Sequence, residues 1–520
     1  MAGGVIVSLM GIGTTLGSAS VIAYNGLDRE VKVRVGGSSA TLAPGGKRVF
    51  EVEADKPVQM SAQTAEGHAI ESFSANPGVI GGRYIYNVAG AGPLMAWTAI
   101  YGPGVPPPER KLGAPRWSLQ SADAVLEPPP QQIKVAKGGT GSRSVVSGAE
   151  TRSVGNVLDM VTTDSERKAL IEVHGTWDSA QSEYLLEWLA VAEQQAPESN
   201  ARIIDARLAR TPLEVASLRA QQDQAATPEA RERVCERQRA LARANPATVD
   251  LGYLVVRCMS DQAAKDAAYK KGAAEHPDSA WFSYAAGHVW AGDQAWSEAR
   301  RAYEKAGAKA PFLSLLTTRD LARIRRIEQG EGVSLSDLEA KSVFLQIQRM
   351  LRTGKDVPPD SSAPGYIAMG RGDLDKAFDV AASGTQPRAS LLVLVGASEG
   401  ASPKQVSRAL ELSQVLTIND FDSLLPAIGL GIKHGRPIDK PMAVLDYMGP
   451  EDAKSMRAFV AELQTTRDPR RAEAALAGLT PQFRAQAYCA GLVVLGQRAP
   501  AAWRSFVKRA LFPSEHPYFG

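Results

Sequence analysis

The residue types best suited to chemistry, histidine and cysteine, are few and widely spaced in this sequence. No two of the six histidines lie three or four residues apart, the spacing that places two metal ligands on one face of a helix. They are His68, His174, His276, His288, His434 and His516. The three cysteines form no Cys-x-x-Cys pair, so a structural zinc site is not expected. We therefore predict no metal site and no cofactor.

Two glycine-rich segments resemble nucleotide-binding loops, and neither has the complete pattern. GIGTTLG at 11–17 follows an apolar run, but its last two glycines are one residue too far apart for a dinucleotide loop. KGGTGS at 137–142 lacks the Gly-Lys-Ser/Thr ending of a phosphate loop. No catalytic residues can be named from these patterns, and we expect that the chain is not an enzyme. An enzyme whose site is assembled from dispersed residues stays an alternative.

Two cysteines fall in neighbouring predicted helices. Cys235 and Cys258 each lie eleven or twelve residues from a turn centred on Asn245-Pro246. Residues equidistant from the turn of an antiparallel helix pair lie side by side, so one interpretation is a disulfide. It would close a loop of about 24 residues and contribute roughly 3 kcal/mol in the chain-entropy model. The other interpretation is two buried thiols packed as small apolar groups. Cys489 is predicted to be a core residue.

The composition is that of an ordinary globular protein with more than one domain. A chain of 520 residues exceeds a single typical core, so two to four domains are expected. Hydrophobic residues make up 44% and charged residues 22% of the chain, which argues against wholesale disorder. The net charge of +3 comes from well-mixed acids and bases and indicates no nucleic-acid partner.

The chain begins with an uncharged stretch. Residues 4–24 are long enough to span a bilayer, but they contain many Gly, Ser and Thr residues. No Lys or Arg precedes them to orient insertion. Residues 1–17 are therefore interpreted either as an apolar glycine-rich leader or as part of a membrane segment. A membrane anchor and a Cys235–Cys258 disulfide would together favour an extracytoplasmic, membrane-associated protein over a cytoplasmic one.

Residues 18–101 have the pattern of short strands separated by turns. Val31, Val33 and Val35 alternate with Lys32 and Arg34, which is the period of a half-buried strand. Further short apolar runs follow, separated by Gly, Asn and Pro, and predict a small β-sandwich of about seven strands. Residues 102–155 are rich in Pro and Gly and are predicted to be a linker with a hairpin at Gly138-Gly139 as an alternative.

From residue 156 the apolar residues recur at spacings of three and four residues, which predicts helices of about 10–16 residues over 156–520. Residues 280–311 place small, aromatic and proline residues at regular positions, namely Gly287, Trp290, Trp296, Ala299, Tyr303, Ala306 and Pro311. A second stretch, 365–381, repeats part of the pattern with Gly372, Leu374 and Ala377. Small residues let the two helices of a pair approach closely, and aromatic residues fill the gap to the next pair.

Both stretches resemble tetratricopeptide repeats. The resemblance implies a multidomain fold, an N-terminal all-β sandwich followed by an all-α helical solenoid built from such repeats. Tetratricopeptide proteins generally bind other proteins on the concave face of the solenoid. The resemblance therefore implies a non-enzymatic protein–protein interaction scaffold with a protein or peptide partner on the helical domain. A membrane-tethered structural component of the cell envelope is the alternative from a different class.

Two further expectations concern individual positions. Trp281, Tyr284 and Trp290 are candidates for partner contact, with a role in the core as the more frequent alternative for such residues. The charged run RRIEQGEG at 325–332 is interpreted as a solvated helix end.

Overall fold

A computed structural model describes residues 18–78, 82–134, 139–149, 153–225, 227–357, 362–383, 388–417 and 420–520. The chain divides into two compact units, unit 1 (Met1–Cys258) and unit 2 (Met259–Gly520). A β-rich region at 18–148 is followed by helices, so the predicted order of a β region and a helical region is confirmed. The first helices nevertheless belong to the same unit as the strands.

The strands of unit 1 form three four-stranded sheets, with orders β10-β7-β1-β4, β3-β2-β5-β6 and β11-β12-β8-β9. Their bounds are β1 Ser18–Tyr24, β2 Val31–Val35, β3 Ser38–Leu42, β4 Lys47–Glu53, β5 Val58–Thr64, β6 Ala69–Ala75, β7 Arg83–Asn87, β8 Leu94–Tyr101, β9 Arg110–Gly113, β10 Trp117–Gln120, β11 Ala124–Val125 and β12 Gly141–Gly148. The predicted alternation of Val31, Val33 and Val35 is confirmed, because these three residues are buried while Lys32 and Arg34 are exposed.

Strand β1 is buried on both faces and connects two cores. It runs antiparallel to β4 and parallel to β7. Val21 and Ala23 point into a core that includes Val33 of the second sheet. Ile22 points to the other side, into a core that includes Val146 of the third sheet. This double burial explains why β1 has a continuous apolar run rather than an alternating one.

The predicted linker contributes strands to these sheets. β9 to β12 all lie between residues 110 and 148, and β12 pairs with β8 along its whole length, from Gly141 opposite Tyr101 to Gly148 opposite Leu94. The described residues 128–134 form no strand, and Gly138 lies outside the described residues. Three of the four strands have two to four residues between Pro and Gly residues, so they have too little periodicity to be recognised from sequence.

Seven helices among the described residues of unit 1 follow the sheets. They are α1 Val154–Asp159, α2 Asp164–Trp177, α3 Leu185–Gln195, α4 Pro197–Arg210, α5 Val215–Gln224, α6 Pro228–Ala244 and α7 Asp250–Arg257. The first begins two residues before the predicted boundary at 156, which is within the usual uncertainty of helix ends.

Helix α2 is fastened to the β region by buried polar contacts. His174 Nε2 lies 2.9 Å from the Ala91 carbonyl oxygen, and His174 Nδ1 lies 3.0 Å from Asp178 Oδ2. Asp178 Oδ1 accepts a hydrogen bond of 2.8 Å from the Asp28 backbone N–H. Arg207 donates to the carbonyls of Gly175 and Asp178, which satisfies acceptors that the end of a helix leaves unpaired. These contacts explain why helices and sheets form one unit here.

The regular elements among the described residues of unit 2 are all helices. Its helices are α8 Gln262–Glu275, α9 Ala280–Gly292, α10 Trp296–Lys309, α11 Pro311–Gln329, α12 Ser336–Glu339, α13 Val343–Thr353, α14 Ala363–Gly370, α15 Leu374–Ala382, α16 Ala389–Ala397, α17 Pro403–Leu412, α18 Phe421–His434, α19 Asp439–Val444, α20 Pro450–Thr465, α21 Pro469–Ala474, α22 Pro481–Leu495 and α23 Ala501–Ala510.

The largest core of unit 2 lies around α18 and α22. Both helices are buried over almost their whole length. Gly429 of α18 allows them to approach closely, because a Cβ atom there would lie 2.8 Å from the Ala490 carbonyl oxygen. Cys489 is fully buried at this contact, as predicted for a core residue. The chain after α23 returns to this core, where Phe519 is also buried.

No helix within the described residues is long and apolar enough to cross a membrane. Of the stretch 4–24, residues 4–17 lie outside the described residues, and Ser18–Tyr24 form strand β1.

Candidate functional site

A cavity of about 290 Å³ opens on unit 2 where α11, α13 and α14 meet the last residues of the chain. We call it the cationic pocket. Its charged lining consists of Arg326, Glu331, Glu339, Arg349, Arg352, Arg371 and Lys508. Five of these side chains are basic and two are acidic, so the pocket has a formal excess of three positive charges.

Two arginines one helical turn apart organise the inner end of the site. Arg323 and Arg326 of α11 are 3% and 7% exposed, and their guanidinium groups lie 5.0 and 4.8 Å from the centre of the Phe512 ring. Arg323 donates to both carboxylate oxygens of Glu515, at 2.8 and 2.6 Å. Glu515 in turn accepts from the Phe512 backbone N–H at 2.8 Å, so the ion pair also fixes the Phe512 ring.

Arg326 has no such counter-ion. Its Nη2 donates to the Lys508 carbonyl oxygen at 2.6 Å, and its buried Nε has no hydrogen-bond partner. No carboxylate among the described residues lies within ion-pairing distance of it. Burial lowers the pKa of Arg326 to about 10, which still leaves the guanidinium charged at neutral pH. The nearby carboxylate of Glu331 acts in the opposite direction, but burial outweighs it. The pocket therefore contains a buried positive charge that the protein neutralises only in part, a costly arrangement.

The outer basic residues are also incompletely neutralised. Arg349 and Arg352 of α13 share one carboxylate, Glu339, at 3.8 Å each. Arg371 and Lys508 have no carboxylate within 4.0 Å in the part of the chain that the structure describes. The side chains of Arg349 and Arg352 are about half exposed, so these groups form a solvent-accessible rim around the more deeply placed Arg326.

The walls of the pocket are apolar. They include the side chains of Leu335, Leu345, Met369, Phe512 and Phe519, all of them buried in the fold. Tyr366 adds a phenol, and burial raises the pKa of this group to about 12, so it stays neutral and can donate a hydrogen bond. The pocket thus combines apolar walls with basic groups, which suits a ligand that carries both an apolar part and negative charge.

Helix α13 presents apolar side chains on its opposite side. Val343 and Ile347 are 49% and 44% exposed and lie four residues apart, on one face of the helix. Ser342 caps the start of the helix, and its side chain accepts a hydrogen bond from the Leu345 backbone N–H. Gln348 exchanges hydrogen bonds with Ser514 and holds the helix against the end of the chain. A rigid helix therefore carries both an apolar surface and part of the pocket.

The predicted repeat residues of 280–311 lie on α9, α10 and the start of α11, and none of them lines the cationic pocket. A Cβ atom on Gly287 would lie 2.7 Å from the Tyr303 ring, so this glycine allows α9 and α10 to pack closely. Ala299, Tyr303 and Ala306 are buried, and the rings of Trp296 and Phe506 are 6.4 Å apart. Pro311 is exposed at the start of α11. Of the three candidates for partner contact, Trp281 and Tyr284 are buried and Trp290 is half-buried.

The second group lies at the α14–α15 turn. Gly372 has a φ of +79°, a backbone conformation that favours glycine, and Leu374 and Ala377 are buried in α15. None of these three residues lines the pocket, although Arg371 beside them does.

The structure also brings Cys235 and Cys258 together, in unit 1. They are joined as a disulfide, with Cα atoms 5.8 Å apart and 23 residues apart in the chain. Gln222 Nε2 lies 3.2 Å from Cys258 Sγ and 2.6 Å from Gln238 Oε1. The bridge links α6 to the end of α7, the geometry that equal distance from the turn predicts.

A Gly-x-Ser-x-Gly motif, the spacing found around some catalytic serines, occurs in unit 2, and its serine hydroxyl forms hydrogen bonds within the protein. Gly396-Ala-Ser398-Glu-Gly400 has the Gly-x-Ser-x-Gly spacing of a nucleophile elbow, which requires a strand before the serine. Here helix α16 precedes it. Ser398 Oγ donates to the Leu394 carbonyl at 2.8 Å and accepts from the Tyr518 backbone N–H at 2.9 Å. The serine therefore fastens the end of the chain to α16.

Acidic groups with raised pKa values occur in the interior of unit 2, apart from the pocket. Burial raises the pKa of Asp422 to about 7, and Gln486 donates to its Oδ1 at 3.3 Å. Burial also raises the pKa of Asp320. Neither carboxyl lines the cationic pocket, so neither can serve there as a general acid or base.

The sequence patterns did not predict the cationic pocket. The sequence predicts a solvated helix end at 325–332, and this prediction is wrong for Arg326, which is buried. One feature of the sequence could have indicated a buried arginine. Arg323 and Arg326 lie three residues apart on α11, among apolar residues, namely Leu321, Ile324 and Ile327. An arginine inside an apolar helical pattern indicates a buried cation, although it does not identify the partner.

Comparison with known proteins identified no relative: no protein-family model matches the chain, and no curated protein or solved structure matches it.

Proposed function

We propose that this protein is a non-enzymatic protein-interaction scaffold whose unit 2 binds a segment of a partner protein. The segment occupies the cationic pocket and continues over the exposed side of α13. The observation that carries the proposal is the buried Arg326, which has no carboxylate within 4.0 Å among the described residues, beside a helix that exposes Val343 and Ile347. An acidic group in the pocket and apolar side chains on α13 would satisfy both features.

The architecture that accompanies this proposal is a β-sandwich followed by a solenoid similar to tetratricopeptide repeats. The close contact of Gly287 with Tyr303 and the buried Ala299 and Ala306 support helix pairs of that kind at α9 and α10. In this proposal the helices carry the partner, and the β region presents or tethers them.

A membrane-tethered structural component of the cell envelope is the second candidate. The Cys235–Cys258 disulfide favours it, because disulfides persist in oxidising compartments and are rare in the cytosol. Cell fractionation distinguishes the candidates: recovery of the native chain in the membrane fraction, with the disulfide oxidised, would support the envelope role. Recovery in the cytosol with reduced cysteines would exclude it.

Site-specific photocrosslinking in cells tests the scaffold proposal. A photoreactive amino acid replaces Ile347 in the full chain, and a matched control carries it at Arg301, an exposed position on α10. We expect a discrete protein adduct from position 347 that is absent from position 301. The double substitution Arg349→Glu and Arg352→Glu should reduce that adduct, because it reverses two charges on the pocket rim.

Either of two results would contradict the scaffold proposal. The first is that the photoreactive residue at position 347 forms no adduct. The second is that its adducts are the same as those from position 301 and are still formed when Arg349 and Arg352 are replaced by glutamate. The first result would mean that nothing covers α13, and the second would indicate nonspecific contact.

A further inference from the structure

The charge distribution in the cationic pocket points to a ligand with more than one negative charge. Arg326 is the most buried of the basic residues that line the pocket, at 7% exposed. Lys508 and Arg371 have no carboxylate partner in the described residues, and Glu339 is shared between two arginines. A carboxylate ligand would supply one negative charge against a formal excess of three. A phosphate monoester supplies between one and a half and two, on three strong acceptor oxygens.

The donor types match a phosphate as well. Arginine presents a planar fork of N–H donors that fits phosphate and carboxylate oxygens, and arginine tolerates burial better than lysine. Arg326 is held in place by Phe512 and the Lys508 carbonyl, so little side-chain freedom is lost when it binds.

The size and walls of the pocket restrict what carries the phosphate. A volume of about 290 Å³ is at the lower limit for small-molecule sites, which favours a small group over a long acyl chain. Tyr366, Phe512 and Phe519 provide aromatic walls that suit a ring or a short apolar group.

We infer that the cationic pocket binds a phosphate monoester carried on an aromatic or short apolar group, with Arg326 as the deepest contact of the phosphate. The inference rests on the proposed function and deepens it, because a phosphorylated side chain of a partner protein has this chemistry. A small free phosphate ester has it too, and the experiment separates the two sources.

Isothermal titration calorimetry of the full chain tests the inference with simple probes. Phenyl phosphate is the main probe, benzoate keeps the ring with a single charge, and inorganic phosphate keeps the charge without the ring. We expect phenyl phosphate to bind about tenfold more tightly than either of the other two, because only it satisfies both the basic groups and the aromatic walls.

Three variants test the location. Arg326→Met should weaken phenyl phosphate binding by about tenfold or more, since it removes the deepest donor. Arg371→Gln changes an exposed rim residue, retains the fold, and should weaken binding by about threefold. Arg301→Gln is the matched surface control and should leave binding unchanged. Circular dichroism confirms that each variant is folded, and the Arg371 variant keeps the location testable if Arg326→Met fails to fold.

The outcomes separate the inference from the proposed function. Absence of phenyl phosphate binding, or equal binding of benzoate, would overturn the phosphate inference and leave the crosslinking result at Ile347 unaffected. Binding that persists in both pocket variants would overturn the assigned location. If the inference holds, a short phosphotyrosine peptide identifies the source: tighter binding than phenyl phosphate supports a partner protein, and equal binding supports a free ester.

Discussion

Arg323 and Arg326 lie one turn apart on the same helix and contact the same ring, Phe512, but only Arg323 has a carboxylate partner. Burial alone lowers the pKa of Arg323, but Glu515 outweighs burial and raises it above the ordinary value. For Arg326 burial is the larger effect: Glu331 raises its pKa, but burial outweighs this and lowers the pKa to about 10. Arg323 is therefore part of a buried ion pair, whereas Arg326 has no carboxylate within 4.0 Å among the described residues, the difference on which the proposed ligand site depends.

The two arginines should respond differently to loss of charge in the absence of ligand. Arg323→Met leaves Glu515 buried and unpaired, and we expect it to lower the free energy of unfolding by about 3–5 kcal/mol. Arg326→Met removes one hydrogen bond but also a desolvated charge, so its effect should stay within about 1 kcal/mol. Urea denaturation of both variants and the wild type measures the difference. Equal losses would show that Arg326 is a structural residue after all.

The contact of Gly287 with Tyr303 predicts intolerance of even one added carbon. Gly287→Ala places a Cβ atom 2.7 Å from the Tyr303 ring and should destabilise the protein by about 1–3 kcal/mol. Gly332→Ala is the control, since no atom lies within 4 Å of a Cβ there, and it should change stability by less than about 0.5 kcal/mol.

A double-mutant cycle with Tyr303→Ala identifies the cause of the Gly287 effect. If the clash with the ring is responsible, Gly287→Ala should cost little in the Tyr303→Ala background. Full additivity of the two substitutions would instead assign the effect to another neighbour.

His174 predicts a pH-dependent stability in unit 1. Burial by itself lowers the pKa of His174, but the Asp178 carboxylate and the Ala91 carbonyl outweigh burial and raise it above the ordinary 6.5. Both ring nitrogens face acceptors, which only the doubly protonated imidazolium can satisfy. The stabilisation is therefore fully present below pH 6.5 and is lost as the pH rises through the folded-state pKa.

The variant His174→Gln tests whether the stabilisation by His174 decreases as the pH rises. The free energy of unfolding of the wild type should exceed that of the variant by about 1–3 kcal/mol below pH 6.5, and the gap should narrow at alkaline pH. Denaturation curves from acidic to alkaline pH provide the measurement. A gap that widens with rising pH would mean that His174 is neutral in the fold.

The disulfide predicts a redox-dependent stability. Removing it with the double substitution Cys235→Ala and Cys258→Ala frees a loop with a sequence separation of 23 residues. The chain-entropy model gives a loss of roughly 3 kcal/mol for a loop of this length. A thiol reductant should lower the melting temperature of the wild type and leave that of the double variant unchanged. An equal response of both proteins would place the reductant's effect elsewhere.

Local features of this chain could be predicted from sequence because they depend on near neighbours. The alternation of Val31, Val33 and Val35 with charged residues predicts a half-buried strand, since side chains of a strand point to opposite faces. The spacing of apolar residues by three and four after residue 156 predicts helices, because residues at that spacing lie on one face of a helix. The equal distances of Cys235 and Cys258 from a turn likewise made their contact one of two interpretations.

The pairing of the short strands and the pocket required the tertiary structure. Strands β9, β10 and β12 pair with the earlier strands β8 and β7, and β11 pairs with β12; nothing in their own two to eight residues indicates which edge each joins. Arg326 is buried because Lys508 and Phe512, more than 180 residues later, fold over it. A sequence pattern reports how residues alternate along one element, whereas a buried charge and its missing counter-ion depend on which distant segments the core brings together.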